Sequence, residues 1–441
     1  MPMFQVFGQS GRDGANPAAH SGRLVNCYRE GIDEGGKARA VIQPVPGEQA
    51  YTSITAVIRA METIDDVIYA VSNGNLYRIA SGVGTVLGAV VDSAETSISG
   101  HDGYVTVVAG GRYWVWDGAS LTEPAAGAFT SFGSVAHVGH YTILTEKGGS
   151  RFQWSEIANP LVLPGLNFDD TDDRDDNLVR VFVSEGTIWL FGTASTEIWA
   201  PDGVSFSRYR GATKDVGLKA FGLITEFDGG VFFIGDDDTP YVAQGTSITP
   251  VRFGPVQTAI RDCDPRQCLY YDDRGHQFCA IIFDDCTAWV FDLTTQEWHE
   301  RAEGRLLGPW TAVASAKQGN DWYLGKAGGQ IVTLGGHQDS GNVLAREAVS
   351  RTVYFDGNRQ RLDELEFFAP VGQDGTLMFW LSKDNGRTWG PERSISFGGT
   401  GVYTKRMLKR ALGQYRQLTV KVRVTDNAYL PFYSDIRAQI S

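Results

Sequence analysis

Several things are scarce in this sequence, and each absence removes a class of function. No window of its 441 residues approaches the roughly 20 consecutive apolar residues of a membrane-spanning helix, and the opening MPMFQVFGQSGRDGANPAAH lacks the basic-then-apolar layout of a secretion signal. A soluble protein without a membrane span is expected. Cysteine is sparse: Cys27, Cys263, Cys268, Cys279 and Cys286 are an odd number in a long chain, which points to reduced thiols and synthesis in a cytoplasm. Four of them, with His276 nearby, are spaced Cys-x4-Cys-x10-Cys-x6-Cys, whereas zinc sites favour closer pairs. Buried hairpin cysteines are the expected reading, and no metal site is assigned. Also missing are a Gly-x-Ser-x-Gly elbow, a His-Glu-x-x-His helix, and a Gly-rich phosphate loop followed by Lys-Ser/Thr. No catalytic residue or cofactor is therefore expected.

Positive charge is short as well. The formal charge is −13, and residues 359–441 hold 13 Lys plus Arg against 8 Asp plus Glu, a net of +5 that leaves −18 for the first 358 residues. A protein that grips nucleic acid presents a basic face, and the larger part of this chain is acidic.

What the sequence has in quantity is alternation. One unit recurs, apolar strand, tight turn, apolar strand: VIYAVSNGNLYRI (67–79), YVTVVAGGRYWVW (104–116), YTILTEKGGSRFQW (141–154), IWLFGTASTEIW (188–199), VFFIGDDDTPYVA (231–243), FCAIIFDDCTAWVF (278–291) and WYLGKAGGQIVTL (322–334). The turns centre near Asn73, Gly110, Gly148, Ala194, Asp237, Asp285 and Gly328, with gaps of about 37 to 48 residues, the range of four-stranded propeller blades. An all-β fold follows: a β-propeller of about seven blades, six being possible, over residues 53–357. A pair of β-sandwiches is the alternative for the same pattern. Trp116, Trp154, Trp199, Trp289 and Trp298 fall at or after second strands, where they are expected to pack as wedges between blades. WVFDLTTQEWHE (289–300) reads as strand, turn, strand in the manner of a kelch blade, once only.

Residues 1–52 are punctuated by Gly and Pro and read as an extended arm. Residues 358–441 read as a β-sandwich-like domain with the strands ELEFFAP, TLMFWLS and LTVKVRVTD. Inside it, LSKDNGRTW carries Ser382, Asp384, Gly386, Thr388 and Trp389 in Asp-box spacing. Ser382 and Asp384 offer acceptors to loop N–H groups, Gly386 takes a positive φ, and Thr388 with Trp389 re-enters a strand. Each residue has a scaffold role, so the box indicates a hairpin rather than a glycosidase. A sialidase would need several boxes, an arginine cluster, and a Tyr plus Glu pair. TKRMLKRALGQYRQ (404–417), with Lys405, Arg406, Lys409, Arg410 and Arg416, reads as a basic amphipathic helix or as two short strands around Gly413, and is a candidate subunit contact. The run NFDDTDDRDDN (167–177) offers Asp169, Asp170, Asp172, Asp173, Asp175 and Asp176 but lacks the glycine of an EF-type calcium loop; an exposed loop is expected.

Taken together, GTIWLFGTASTEIWAPDG, SRYRGATKDVGLKAFGLITEFDGGVFFIGDDDTPYVAQG, RGHQFCAIIFDDCTAWVFDLTTQEWHER, and SKDNGRTWGPE with GGTGVYTKRMLKRALGQYRQLTVKVRVTD resemble, in order, the packaged DNA stabilisation proteins of short-tailed bacteriophages. These are also called tail hub or nozzle proteins. LVNCYREG and PVPGEQAY are similar to the arm that precedes their ring. The segment Lys405–Gly413 departs from the family pattern in having no tryptophan before the basic pair. The resemblance implies a non-enzymatic virion protein made in a bacterial host cytoplasm. It implies a hexameric ring below the portal and adaptor, in contact with fibre, spike or plug proteins, around a channel that retains double-stranded DNA and later passes it. The rival readings are a carbohydrate-active or glycan-binding propeller and a kelch-like protein-binding module.

Overall fold

The computed structural model describes residues 3–8, 10–11, 22–32, 39–171, 174, 176–203, 205–355 and 357–441. Its regular segments are strands, apart from one α-helix among the described residues, Gly254–Asp262, which has proline in its first turn and Arg261 in its last. The chain forms two compact units: Ala50–Tyr271 with Thr311–Thr333, and Met1–Gln49 with Asp272–Trp310 and Leu334–Ser441.

The first unit is built of four-stranded antiparallel sheets. The first of them runs Ile58–Ile64, Val67–Ser72, Asn75–Ala80, Val83–Ala89. Sheets beginning at Thr96, Phe132, Leu178 and Ile224 repeat that order, and the last sheet starts with Ala312–Gln318, Asp321–Lys326 and Gln330–Leu334. Tight reversals hold the hairpins together; at Asn73 and Gly74 φ is 49° and 68°, the paired positive values of a two-residue β-hairpin turn.

Alternation places apolar side chains on both faces of each sheet, so neighbouring sheets bury them against each other. One core cluster joins Val313, Ala316 and Ile331 of the last sheet to Ile58, Met61 and Ile79 of the first. Further clusters join the first sheet to the second, the second to the third, the third to the fourth and the fourth to the fifth. This succession, with the last sheet packed on the first, is the packing of a β-propeller. Closure uses an earlier piece of chain: Glu48–Ser53 lies beside Gln330–Leu334, and Ile54 N donates to Gly329 O at 2.8 Å. Trp154 and Trp199 fill the space between the third and fourth sheets, with Trp199 4.9 Å from Phe152, and Trp116 packs between the first and second.

The second unit has a two-sheet sandwich. One sheet runs His276–Phe283, Ala288–Asp292, Glu297–Arg301, Arg23–Val25, Arg346–Val349, Gln417–Val424, Thr376–Ser382, Arg393–Ser396. The other runs Met3–Gln5, Asp435–Ile440, Gln360–Phe367, Met407–Tyr415. Leu365, Phe367, Leu377, Phe379, Val420 and Val422 form the core between them.

Here the described residues of 1–52 differ from an extended arm, and the rest of that segment lies outside the described residues. Val6, Phe7, Leu24, Cys27 and Ile42 belong to the same core, because their alternating apolar side chains complete sheets begun elsewhere in the chain. The sixth hairpin, 278–291, forms as its pattern predicts, yet lies in this unit, where Val25 pairs in parallel with Glu300. Within that hairpin pair Trp289 and Trp298 pack on each other, 6.4 Å apart. The turn between Asp292 and Glu297 has Gln296 at φ 56°, and His276 Nδ1 bonds Asp292 Oδ2 at 2.7 Å. Cys27, Cys268 and Cys279 are buried and outside any disulfide, as expected of hairpin cysteines, whereas Cys263 and Cys286 are disulfide-bonded, against the expectation of five reduced thiols.

Candidate functional site

The Asp-box closes the connection from Thr376–Ser382 to Arg393–Ser396. Ser382 Oγ donates to Asp384 Oδ1 at 2.7 Å and accepts from Gly386 N at 2.9 Å; Thr388 N donates to Asp384 Oδ1 at 2.8 Å and Thr388 Oγ1 to Asp384 Oδ2 at 2.6 Å. Both carboxylate oxygens are thus used inside their own loop. The bonds from Ser382 and Thr388 favour the charged form and hold Asp384 down at about 2. Gly386 has φ 83°, as its place in the turn requires. Trp389 does not re-enter a strand: Gly390 N donates to Leu381 O at 2.9 Å, but the ladder begins at Arg393, beyond Pro391, which offers no N–H to it. Its ring instead lies 4.7 Å from Lys421 Nζ, which also stands 4.8 Å from the Trp380 ring, so the ammonium sits on two indoles.

The basic segment is neither helix nor two strands around Gly413. It is one strand, Met407–Tyr415, passing through Gly413 at the edge of its sheet. Its register against Gln360–Phe367 shifts between Leu362 and Glu364, and Ala411 takes φ 57° at the bulge. The five cations of the segment 404–417 divide into two groups. Arg406 bonds Glu366 through Nε at 2.7 Å and Glu364 through Nη2 at 3.2 Å, Arg410 Nε bonds Glu364 at 2.9 Å, and Arg437 reaches Glu366 at 3.4 Å. Glu364 and Glu366 are buried, so these arginines serve to neutralise them. Lys405, Lys409 and Arg416 are exposed.

A further charged group, in the propeller, was not singled out in the sequence. Glu62, Arg180 and Glu226 come from the first strands of three different sheets, yet their charges influence one another. Glu62 keeps solvent access, but burial among its neighbours, with the charge of Glu226, pushes its carboxyl up to about 7 against the opposing pull of Arg180. Burial raises Glu226, helped by Glu185, and lowers Arg180 to about 10, where the guanidinium lies 4.6 Å from the Phe221 ring. Ser99 Oγ and His137 Nδ1, from the next two first strands, are 2.7 Å apart. The available signal was positional: Glu62, Arg180 and Glu226 stand five, eight and five residues before the repeat units that begin at 67, 188 and 231.

With this architecture established, comparison with known families decides what carries it. The family model described as "Bacteriophage P22 Gp10, beta-propeller" matches residues 24–335, and "Bacteriophage P22 Gp10, beta-sandwich" matches residues 345–440. The chain belongs to the bacteriophage P22 Gp10 family. That makes it a structural protein of a phage tail, a virion component that assembles with other virion proteins. Comparison with curated proteins returns no match. Solved structures similar to part of the chain include the computationally designed Ika8 protein, at 12% identity and TM-score 0.43 over 65% of this chain and 99% of that one. U3-55K gives 9% and 0.44 over 66% and 99%. The extracellular domain of BT4673 from B. thetaiotaomicron gives 11% and 0.43 over 75% and 45%.

In this Gp10-family chain the acidic run is partly tied down. Asp176 Oδ2 accepts from Ala194 N at 2.8 Å and Ser195 N at 2.9 Å, capping the next turn of the ring, and Asp169 Oδ1 accepts from Asp170 N at 2.9 Å. Arg174 pairs with Asp215. Asp172, Asp173 and Asp175 lie outside the described residues. Among the described residues, no grouping of metal-capable side chains includes any from 168–177. No helix among them is long and apolar enough to cross a membrane.

Proposed function

We propose that the chain is the tail nozzle of a short-tailed phage: six copies form a ring below the portal and adaptor, retain the packaged DNA, and line the channel through which it leaves. The observation that carries this reading is the family match across both the propeller and the sandwich, 24–335 and 345–440. Within it the propeller, Ala50–Tyr271 with Thr311–Thr333, is one structural part of each subunit, and the unit that contains the C-terminal β-domain, 358–441, is the other. The Asp-box residues Ser382, Asp384, Gly386, Thr388 and Trp389 serve as scaffold, and Lys405–Arg416 as a subunit contact. Neighbours in the tail are the adaptor and a fibre, spike or plug protein. No chemistry on DNA is required of such a part.

Charge supports the reading. With −18 on the first 358 residues, a channel wall drawn from that part repels a polyanion at short range, so DNA slides rather than sticks. Three-dimensional imaging of intact particles tests this directly: a sixfold ring of this chain at the tail axis is expected. Density for the chain elsewhere in the particle, or a strongly basic channel wall, would sink it. Incubation of the purified chain with host surface polysaccharides is expected to release no sugar.

A further inference from the structure

The basic edge strand ends a sheet, and a sheet edge leaves backbone N–H and C=O groups unpaired along one side. On Met407–Tyr415 that edge is flanked by cations not used on Glu364 and Glu366, namely the exposed Lys405, Lys409 and Arg416. Backbone alternation turns Lys409 to the opposite face from Arg410. An exposed basic edge can be a guard against aggregation, but here the same chain carries its electrostatic complement.

Every propeller sheet repeats one strand order, so the connection between first and second strands recurs at one end of the ring. Contacts between these connections bear that out. Gln318 Nε2 donates to Asp66 O at 2.6 Å and Gly319 N to Asp66 Oδ1 at 3.2 Å, linking the last sheet to the first; His140 Nδ1 meets Asp102 Oδ2 at 2.8 Å, linking the second to the third. Asp65, Asp66, Asp102, Glu185, Asp228 and Asp321 are all exposed at or beside these connections, against Lys317 and, when protonated, His140. Glu62 and Glu226 stand just inside that rim on the first strands. The rim is a concentrated anionic surface on one end of the ring.

We propose that Lys409 of the edge strand, with Lys405 and Arg416 just beyond its two ends, docks on the acidic propeller rim of a second copy of this chain. Such a contact joins two different surfaces, so it propagates head to tail and can close into a ring. Opposite charge steers the encounter and fixes which copy face is used, while a like-charged pairing of rim with rim is disfavoured. The inference rests on the reading of the chain as a ring-forming subunit, and it specifies which surfaces meet.

The test is a charge swap read by sedimentation velocity and native mass spectrometry on the full chain. One variant carries Lys405→Glu, Lys409→Glu and Arg416→Glu; the other carries Asp65→Lys, Glu185→Lys and Asp228→Lys. Each alone is expected to need about 10- to 100-fold more protein than the wild type for half-assembly. An equimolar mixture should recover assembly, since each reversed surface then meets its complement on alternate copies of an even-numbered ring. Wild-type assembly should itself weaken as salt rises. If both variants assemble like the wild type, or the mixture does not recover, the contact is refuted while the ring reading stands. A wild-type chain that never associates refutes both. Circular dichroism checks folding, and a Lys405→Gln, Lys409→Gln, Arg416→Gln variant with an intermediate loss guards against misfolding of the reversed one.

Discussion

Asp384 shows how a motif residue can be read by where its bonds go. Its two oxygens are used by Ser382 and Thr388, two and four residues away, and its pKa is lowered to about 2. A carboxyl depressed in the folded state contributes stability that is present above its unfolded pKa and is lost as pH falls towards the folded value. Replacing Asp384 with Asn is therefore expected to cost about 1–2 kcal/mol at pH 7, measured by urea unfolding, and progressively less as pH falls from about 4 to 2. Glu62 has the opposite sign. Its carboxyl is raised to about 7, so the folded chain holds a proton that the unfolded chain releases, and stability declines as pH rises between the two values. Glu62→Gln removes that penalty. It should leave the melting temperature unchanged at pH 4 and raise it by about 2–4 °C at pH 8, corresponding to about 1 kcal/mol once the solvent access of the group is allowed for. The Asp-box could be read from spacing alone because all its partners are sequence neighbours. Glu62, Arg180 and Glu226 could not, because more than 100 residues separate the first from the other two, and only ring closure brings them together.

Among the elements, the turns were the most legible. All seven expected turn centres fall between the second and third strands of a sheet or hairpin, from Asn73 to Gly328, because Gly, Asn and Asp mark positive φ locally. First and fourth strands were missed: pieces such as Leu121–Thr122 and Ser247–Pro250 are too short or too polar to register as alternation. The segment 404–417 misled because Leu and Arg at helical spacing also fit a bulged edge strand, and pairing with Gln360–Phe367 decides between them. The closure element has a sharp test. Gly329 has φ 82°, and a Cβ there would stand 2.4 Å from the carbonyl oxygens of Ile54 and Ala56. Gly329→Ala should lose about 3 kcal/mol or more, seen as a lower melting temperature, because neither backbone can yield without breaking the contact that joins the last sheet to the first. The neighbouring Gly328 has open space at its Cβ and serves as the control: Gly328→Ala should stay within about 1 kcal/mol of the wild type.

For the whole molecule, asymmetry of charge is the governing property. A net of +5 beyond residue 358 against −18 before it gives each copy a basic part and an acidic part, which suits repetition of one contact around a ring. Assembly of the wild-type chain should therefore depend on ionic strength. Raising salt from about 0.05 M to about 1 M is expected to shift purified protein towards smaller species in sedimentation, since screening shortens the reach of surface charge to about 3 Å at the higher value. An oligomer indifferent to salt would instead point to an apolar interface.

The sequence by itself determined the all-β class, the repeated hairpins, the Asp-box and, through ordered resemblance, the family, because each is encoded over short stretches where residue and backbone are directly coupled. The tertiary structure decided which strand completes which sheet, that Val6, Phe7, Leu24, Cys27 and Ile42 build core rather than arm, and which arginines of the basic segment are neutralised by Glu364 and Glu366. Those outcomes depend on pairing between segments hundreds of residues apart, and such pairing is set by the burial and hydrogen bonding of the assembled fold rather than by local pattern.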